Sequence, residues 1–412
     1  MLVASWEDLT TCRAVVPHTV GRGVNWLSYS EMIYITRIKN VVLAYSKENA
    51  LNAICPYFTM FPLEYPSKVL WKHKKDKPVV LDPFCGRGTT LFAARNFGLS
   101  AWGIDSSPVA VAIAKAKLAT CDFEIPIGLA SRLIAETEPS DIPDTLFFQA
   151  AYHPRTLRDI CALRDSLLLL NQDTDESVVL RAAMLGCLHG PLPKNIENAG
   201  YFSNQMPRTY ASKPDYAVCY WKERGLKAPK IDVLRVLRRK IERLTGLPEK
   251  SPSSIAQVLN GDAQLPESFG AIDSAPSIVI TSPPYYGMRT YVQDQWLRNW
   301  FLGGPSQVDY SAGPQLDHSG QDAFAKSLGN VWKNVGQSSS DTLHMYVRFG
   351  IIPSASVNAK QIFRNSLDES EVNWRLVSVR AADSADAGKR QADQMKTDSA
   401  AAVEFDFHVE RI

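Results

Sequence analysis

The segment with the clearest chemical content runs from Thr281 to Gly287 and reads Thr-Ser-Pro-Pro-Tyr-Tyr-Gly. It follows a short apolar run, Ser277-Ile278-Val279-Ile280, which predicts a buried strand that ends at two prolines. A hydroxyl, two rigid residues and an aromatic ring at this position suit a pocket for a flat, hydrogen-bonding substrate, because open α/β sheets bind ligands outside the carboxyl ends of their strands. The alternative is a proline turn that only leads the chain out of the sheet.

A second segment with chemical content lies far upstream, at Asp82-Pro83-Phe84-Cys85-Gly86-Arg87-Gly88-Thr89-Thr90. Its two glycines allow the backbone to approach a ligand closely. The next acid, Asp105, lies where nucleotide-binding folds place the acid that binds a ribose diol.

The elements around this glycine loop alternate between strand and helix. The sequence predicts strands at 79–81 and 101–104 and helices at 91–97 and 109–118, with Gly98 as the C-cap of the first helix. This order of strand, loop, helix, strand, acid and helix is half of a doubly wound domain.

The pattern favours S-adenosylmethionine over NAD as the ligand. The loop lacks the third glycine of the dinucleotide fingerprint, and no Gly-Lys-Ser/Thr follows it as in a phosphate-binding loop. Asp82 can attract the cationic methionine end of the cofactor, while Asp105 accepts its ribose hydroxyls.

The composition narrows the class of protein without naming an activity. The 412 residues are 45% hydrophobic and 21% charged, which predicts a large core and two units. The net charge of +2 neither demands nor excludes a nucleic-acid partner. Seven scattered cysteines form no zinc spacing, and no run approaches the roughly 20 apolar residues of a membrane span. We therefore expect a reduced, cytoplasmic protein with no structural metal and no membrane contact.

The middle of the chain is mostly helical and basic. Helices are predicted at 128–137, 155–170, 176–188 and 231–244, and the last carries an apolar face opposite a basic one. A basic helix face is ordinarily solvated, but here it can also contact phosphate. The candidate DNA contacts are Asn204 and Arg208 in a polar loop, Arg238 and Arg239 on the basic helix, and Arg289 after the proline loop.

From residue 257 the alternation of strands and helices resumes. Strands are predicted at 258–263, 277–280, 343–347, 374–379 and 403–407, and helices at 295–301, 322–334 and 358–367. The last two strands complete a seven-stranded layout. Trp296 and Trp300 fall at helical spacing and are expected in the core.

The two motifs together resemble those of the amino-methylating DNA methyltransferases, which make N4-methylcytosine or N6-methyladenine. The glycine loop is similar to the cofactor motif of that family, Asp105 to its ribose-binding acid and Asp262 to its adenine-proximal acid. Ser282-Pro283-Pro284-Tyr285 is similar to its catalytic tetrapeptide, and Phe61-Pro62 resembles the segment that closes over the methionine end. The joint occurrence of two motifs is more specific than either alone.

The resemblance implies a Rossmann-like class I methyltransferase: a mostly parallel seven-stranded sheet with a C-terminal antiparallel strand pair and a largely helical insertion. It divides the chain into a cofactor half at 1–120, a target-recognition region at 121–256 and a catalytic half at 257–412. The implied cofactor is S-adenosylmethionine. Its implied ligands are Phe61, Asp82, Phe84, Gly86, Gly88, Thr89, Asp105 and Asp262, and the catalytic residues are Ser282, Pro283, Pro284 and Tyr285. The implied partners are double-stranded DNA, with RNA as the alternative, and a cognate restriction endonuclease.

Two features depart from the family pattern. The cofactor motif precedes the catalytic one, whereas many members with a Ser-Pro-Pro-Tyr loop have the reverse order. The helical insertion also falls before Asp262, earlier than a target-recognition domain usually lies in this order. Serine as the first catalytic residue favours cytosine N4 as the target. Adenine N6, an RNA base, a catalytically silent DNA-binding module and a dinucleotide-dependent oxidoreductase remain as alternatives.

Overall fold

The computed structural model describes residues 49–55, 57, 62–204, 214–244, 256–287, 292–309, 315–351, 357–382 and 403–412. Three of the predicted site residues, Phe61, Arg208 and Arg289, lie outside these ranges.

One seven-stranded sheet organises the described chain. Its strands are β1 (Val80–Asp82), β2 (Ala101–Asp105), β3 (Ala256–Asn260), β4 (Ile278–Thr281), β5 (His344–Ile351), β6 (Trp374–Ala381) and β7 (Val403–Arg411). They lie in the order β3-β2-β1-β4-β5-β7-β6. The first five are parallel, and β7 runs antiparallel to both β5 and β6. This arrangement confirms the predicted fold class.

The strand order reverses between β1 and β4. The chain proceeds from β1 to β2 and β3 on one side, then returns to place β4 on the other side of β1. Val80 lies beside Ala101 of β2 and beside Ile278 of β4. Ligands in open α/β sheets bind outside the carboxyl ends of strands at such a reversal. Both sequence motifs begin there, because Asp82 ends β1 and Thr281 ends β4.

Helices account for most of the remaining described chain. They are α1 (Asn49–Asn52), α2 (Glu64–His73), α3 (Thr89–Asn96), α4 (Pro108–Leu118), α5 (Glu124–Glu136), α6 (Leu146–Ala151), α7 (Pro154–Leu168), α8 (Asp175–Cys187), α9 (Pro214–Glu223), α10 (Val233–Glu242), α11 (Trp296–Phe301), α12 (Gln321–Ser338) and α13 (Ala359–Asp368). Among the helices of the described ranges, none combines the length and the apolar character that a membrane span requires.

The sheet is buried on both faces, as the alternation of strand side chains requires. Val80, Ile278 and Ile280 pack on one face with residues of α2, α3 and α4. Leu81 and Val279 point to the other face, where they pack with α12 and α13.

The helical segment α5–α10 shares a core with the sheet domain. Its buried side chains form one cluster with Val109 and Ile113 of α4 and with Trp296 and Trp300 of α11. Both tryptophans are almost fully buried, which confirms their predicted place in the core. The boundaries predicted for this segment, 121–256, remain a prediction.

The proline-rich composition of 56–66 predicts that this stretch contains no regular helix, and that prediction is wrong at its carboxyl end. Helix α2 begins at Glu64 and holds Pro66 in its first turn. A proline is tolerated there because the backbone N–H groups of a first turn have no partner inside the helix. The sequence reading also did not predict α6 and α9.

Gly103 lies in β2 where no larger residue fits. A methyl group in its place would lie 2.9 Å from Cys85 Cβ and from Leu91 Cδ1. We expect Gly103→Ala to lower the free energy of unfolding by about 1–3 kcal/mol through overpacking. Denaturant unfolding measures this change.

Gly128 supplies the matched control, because it is exposed within α5 and a methyl group there meets nothing within 4 Å. Gly128→Ala should raise the free energy of unfolding by about 0.5–1 kcal/mol. Equal effects of the two substitutions would contradict the tight packing at Gly103.

Candidate active site

The two motifs meet through one buried hydrogen bond. The Thr281 hydroxyl at the end of β4 donates to Asp82 Oδ1 at the end of β1, over 2.6 Å. Both residues are essentially inaccessible to solvent. The glycine loop and the Ser-Pro-Pro-Tyr loop therefore leave the sheet from adjacent points.

Asp82 is a carboxylate in an apolar setting. The backbone N–H of Phe84 also donates to Oδ1, whereas Oδ2 is buried and receives no donor from the described chain. The Thr90 side chain is also close to Asp82 and lowers the pKa of that carboxyl. The hydrogen bond that the Thr90 hydroxyl donates goes to the Ile280 carbonyl. Desolvation outweighs these donors and raises the pKa of Asp82 to about 7.

The glycine loop follows Asp82 and opens α3. Gly86 and Gly88 both have left-handed backbone, with φ of 50° and 73°. A methyl group at Gly88 would lie 2.8 Å from Ala114 Cβ, so this glycine allows α3 and α4 to approach closely. At Gly86 a methyl group would meet nothing within 4 Å, so the loop leaves open space there. Thr89 follows as the buried first residue of α3.

Asp105 anchors the other side of the loop. Its Oδ2 accepts the Gly86 N–H over 2.8 Å, and its Oδ1 accepts the Ser107 N–H over 2.9 Å. Burial raises the pKa of Asp105 to about 6, although these two donors act in the opposite direction. Tyr57 lies beside it and donates its hydroxyl to Ser107 Oγ.

Asp262 lies next to this anchor, just beyond β3. The backbone N–H of Gly261 and the side-chain amide of Asn260 both donate to the Asp105 carbonyl, at 3.1 and 3.0 Å. Asp262 is partly exposed and accepts from the Gln264 backbone and side chain. The structure therefore brings Asp82, Gly86, Asp105 and Asp262 to one edge of the sheet.

Phe84 of the glycine loop faces the opposite layer of helices. It is half-buried, and its ring meets Trp332 of α12 edge to face, with centroids 6.4 Å apart. The ring thereby packs against the core while the residue remains partly exposed.

The Ser-Pro-Pro-Tyr loop is partly exposed at the same edge. Pro283 is buried, whereas Ser282, Pro284 and Tyr285 are half-buried. The Tyr285 ring packs edge to face on Phe349 with centroids 6.1 Å apart, and its hydroxyl lies near the side chains of Ser282 and Glu404. Burial and the Glu404 carboxylate raise the pKa of Tyr285, so it stays protonated at neutral pH.

Glu404 and Arg348 are functional candidates that the sequence reading missed. They lie on neighbouring strands, β7 and β5, at the end of the sheet that meets the Ser-Pro-Pro-Tyr loop. Arg348 is buried, pairs with both oxygens of Asp406 at 2.7 and 2.8 Å, and lies 4.3 Å from the centre of the Tyr65 ring. No local pattern marks these residues, because their meeting depends on the pairing of β7 with β5.

The three described DNA candidates make contacts within the chain. The Asn204 N–H donates to the Ala151 carbonyl, and Asn204 is nearly inaccessible. Arg238 pairs with Glu124, and Arg239 donates to the Glu197 carbonyl and to Asn198. Their assignment to DNA remains a prediction.

The residues at this edge fit S-adenosylmethionine. Oδ2 of Asp82 is a buried acceptor without a donor, Gly86 leaves open space, and Asp105 has spare acceptor capacity on both oxygens. Asp82 would face the cationic methionine end, Asp105 the ribose and Asp262 the adenine amine.

A family model described as DNA methylase matches residues 25–116. This range contains the glycine loop, which joins β1 to α3, and Asp105, which ends β2. The match confirms the resemblance to the amino-methylating DNA methyltransferases. It does not reach Ser282–Tyr285, so the catalytic assignment depends on the geometry. Together with the fold, the match supports an S-adenosylmethionine-dependent methyltransferase of DNA or RNA.

A search of solved structures found matches at low identity and low TM-score. The rRNA methyltransferase aviRa from Streptomyces viridochromogenes is 12% identical with a TM-score of 0.33, and the match covers 89% of this chain and 92% of that one. A protein described as the modification subunit of a type I restriction enzyme from Vibrio vulnificus is 11% identical with a TM-score of 0.29, covering 94% and 51%. A search of curated protein sequences found no match.

Thr281→Val tests the connection between the two loops. Valine keeps the shape but removes the only side-chain hydroxyl that donates to Asp82 Oδ1 in the described chain. We expect the free energy of unfolding to fall by about 1–3 kcal/mol, because a buried acceptor loses its donor. Thr281→Ser keeps the hydroxyl and should lose clearly less; equal losses in denaturant unfolding would assign the effect to packing alone.

The raised pKa values of Asp82 and Asp105 predict proton release when the cofactor binds. The ligand-free fold loses stability as the pH rises from about 4 to about 7, because Asp82 ionises later in the folded than in the unfolded chain. A cationic ligand favours the ionised carboxylates, so affinity for S-adenosylmethionine should rise with pH between about 5 and about 7, by up to about tenfold per unit for one proton, and level off above the pKa of Asp82.

Isothermal titration calorimetry in buffers of different ionisation enthalpy measures this release. S-adenosylhomocysteine, which lacks the sulfonium charge, is the matched ligand and should release fewer protons. Binding of both ligands without proton exchange across this pH range would contradict the role of the two carboxylates.

Proposed function

We propose that this protein transfers a methyl group from S-adenosylmethionine to the exocyclic N4 amine of a cytosine in DNA. The observation that carries the proposal is the Thr281–Asp82 hydrogen bond, because it joins the base of the catalytic loop to the base of the cofactor loop. Bound S-adenosylmethionine supplies the electrophilic methyl group. Side chains and backbone groups at this edge of the sheet then have to hold the cofactor, bind the base and orient its amine.

The amine of cytosine is a poor nucleophile, because its lone pair is delocalised into the ring. Ser282 Oγ and the Pro283 carbonyl can each accept one N–H of the amine and so turn its lone pair out of the ring plane. The two consecutive prolines hold that carbonyl in one direction. The amine loses its proton to water or to Ser282 after transfer, so no strong general base is needed.

The contacts of Tyr285 support a role in orienting Ser282. Its hydroxyl lies near the side chains of Ser282 and Glu404 and stays protonated at neutral pH. A phenol that donates to Glu404 leaves its oxygen free to accept the Ser282 proton, which turns a lone pair of Ser282 toward the pocket. The exposed part of the ring can still stack on a base that has left the duplex.

The DNA substrate follows from the family resemblance, and the helical segment α5–α10 would read the target. A cognate restriction endonuclease remains part of the proposal as a partner. Serine as the first catalytic residue favours cytosine over adenine, for which aspartate or asparagine is typical.

Ser282→Ala tests the catalytic role. We expect methyl transfer to fall by at least about a hundredfold, since one acceptor of the amine is lost, while affinity for the cofactor stays the same. Transfer of labelled methyl groups to DNA measures the first quantity and calorimetry the second. Asp368→Asn, an exposed change at the end of α13, is the control and should keep full activity. Full activity of Ser282→Ala would overturn the assignment.

Identification of the methylated nucleoside decides the substrate. Digestion of methylated DNA and RNA followed by mass spectrometry should yield N4-methylcytosine from DNA. N6-methyladenine, or a methylated RNA nucleoside, would correct the target while keeping the reaction class. Failure to bind S-adenosylmethionine would favour a catalytically silent DNA-binding module instead.

A further inference from the structure

A cluster of three metal-binding side chains lies at the sheet edge opposite the candidate active site. His344 begins β5, and His408 and Glu410 lie near the end of the antiparallel strand β7. The catalytic loop meets the other end of β5, where Tyr286 bridges Ile351. Eight residues of strand separate the two edges by about 20 Å. The cluster therefore plays no part in the chemistry proposed above.

Strand register brings the three side chains together on one face. His344 is the cross-strand partner of Glu410, and Tyr346 is the partner of His408. Residues two apart on a strand share a face, so all four side chains lie on the face that α2 covers. The neighbouring residues Phe407 and Val409 point into the core on the opposite face.

The spacing of the donor atoms matches a tetrahedral metal ion. His344 Nδ1 lies 3.2 Å from His408 Nε2 and 3.3 Å from Glu410 Oε1, and His408 Nε2 lies 3.8 Å from Glu410 Oε1. Ligands bound about 2.0–2.2 Å from a tetrahedral Zn²⁺ are about 3.3–3.6 Å from one another. A contraction of a few tenths of an ångström would complete the set.

Surrounding side chains hold these donors in place. The His408 ring stacks on Tyr346, with centroids 4.3 Å apart and planes within 6°. Arg375 of β6 pairs with the second oxygen of Glu410. Tyr346 in turn bonds to His73 at the end of α2, over 2.8 Å. Partners of this kind orient the ligands of metal sites.

The donor atoms also lie close together at a position that solvent can reach. His344 Nδ1 and His408 Nε2 are only 3.2 Å apart, so both ring nitrogens lie inside the cluster. The side chains are 37%, 19% and 19% exposed for His344, His408 and Glu410, which leaves solvent a path to the site and a position for water. Two imidazoles and one carboxylate form a donor set that Zn²⁺ accepts.

We propose that His344, His408 and Glu410 form a Zn²⁺ site that joins β5 to β7 at the edge of the sheet opposite the catalytic loop. The ion is held by His344 Nδ1, His408 Nε2 and a carboxylate oxygen of Glu410, with water as the fourth ligand. Its effect is structural, since it ties the antiparallel strand to the parallel part of the sheet.

The test is metal binding by the full chain after treatment with a chelator. The wild-type protein should bind one Zn²⁺ per chain in calorimetry, and Co²⁺ as a probe should give the visible absorption bands of tetrahedral coordination. Zn²⁺ should also raise the melting temperature, because an ion that binds only the folded state stabilises it. None of these readouts depends on methyl transfer.

Three variants each remove one ligand with little loss of shape. His408→Phe keeps the ring that stacks on Tyr346, His344→Phe keeps a ring at the strand start, and Glu410→Gln is isosteric. Each should weaken Zn²⁺ binding by at least about tenfold and reduce the rise in melting temperature. Should one phenylalanine variant fail to fold without metal, Glu410→Gln still decides the question.

Cys219→Ser and His153→Ala are the matched controls, because they remove an exposed thiol and a distant imidazole that could bind zinc adventitiously. Both should bind Zn²⁺ as the wild type does. The proposal is overturned if the wild type shows no saturable binding, or if the three ligand variants bind as tightly as the wild type.

Discussion

The hydrogen bond between Thr281 and Asp82 is the constraint on which the rest of the candidate site depends. It joins the ends of β1 and β4 at the point where the strand order reverses. Its burial is costly, since an aspartate there has a pKa of about 7, and the apolar residues around it supply the stability that offsets this cost. This hydrogen bond thus fixes the starting points of the two loops relative to each other, although the loops are far apart in the sequence.

The first and the later strands contribute different kinds of side chain to this edge of the sheet. The first strands carry carboxylates and glycines with open space beside them, which suit a charged cofactor. The later strands carry hydroxyls, prolines and aromatic rings, which suit a planar base. Glu404 belongs to neither motif, yet the antiparallel β7 brings it against Tyr285.

Local pattern was sufficient to predict most of the sheet, because strand alternation and helical periodicity are properties of neighbouring residues. It failed at α2, where Pro66 was taken to exclude a helix that tolerates it in its first turn. Local pattern also could not predict the hydrogen bond between Thr281 and Asp82, which are 199 residues apart, or the cross-strand pairing of His344 with Glu410. Contacts of this kind depend on strand register, which no short segment encodes.

The position of β7 also has a consequence for synthesis of the chain. In the described sheet β6 pairs with β7 alone, and β7 lies between β6 and β5. During translation β6 leaves the ribosome before β7 has been synthesised. Arg348 and Tyr285 also precede their partners Asp406 and Glu404 in the chain, so these contacts form only after β7 has been made. A nascent chain can hence form the strands β1 to β3 early. The candidate active site gains Glu404 and Asp406 only when β7 is inserted between β5 and β6.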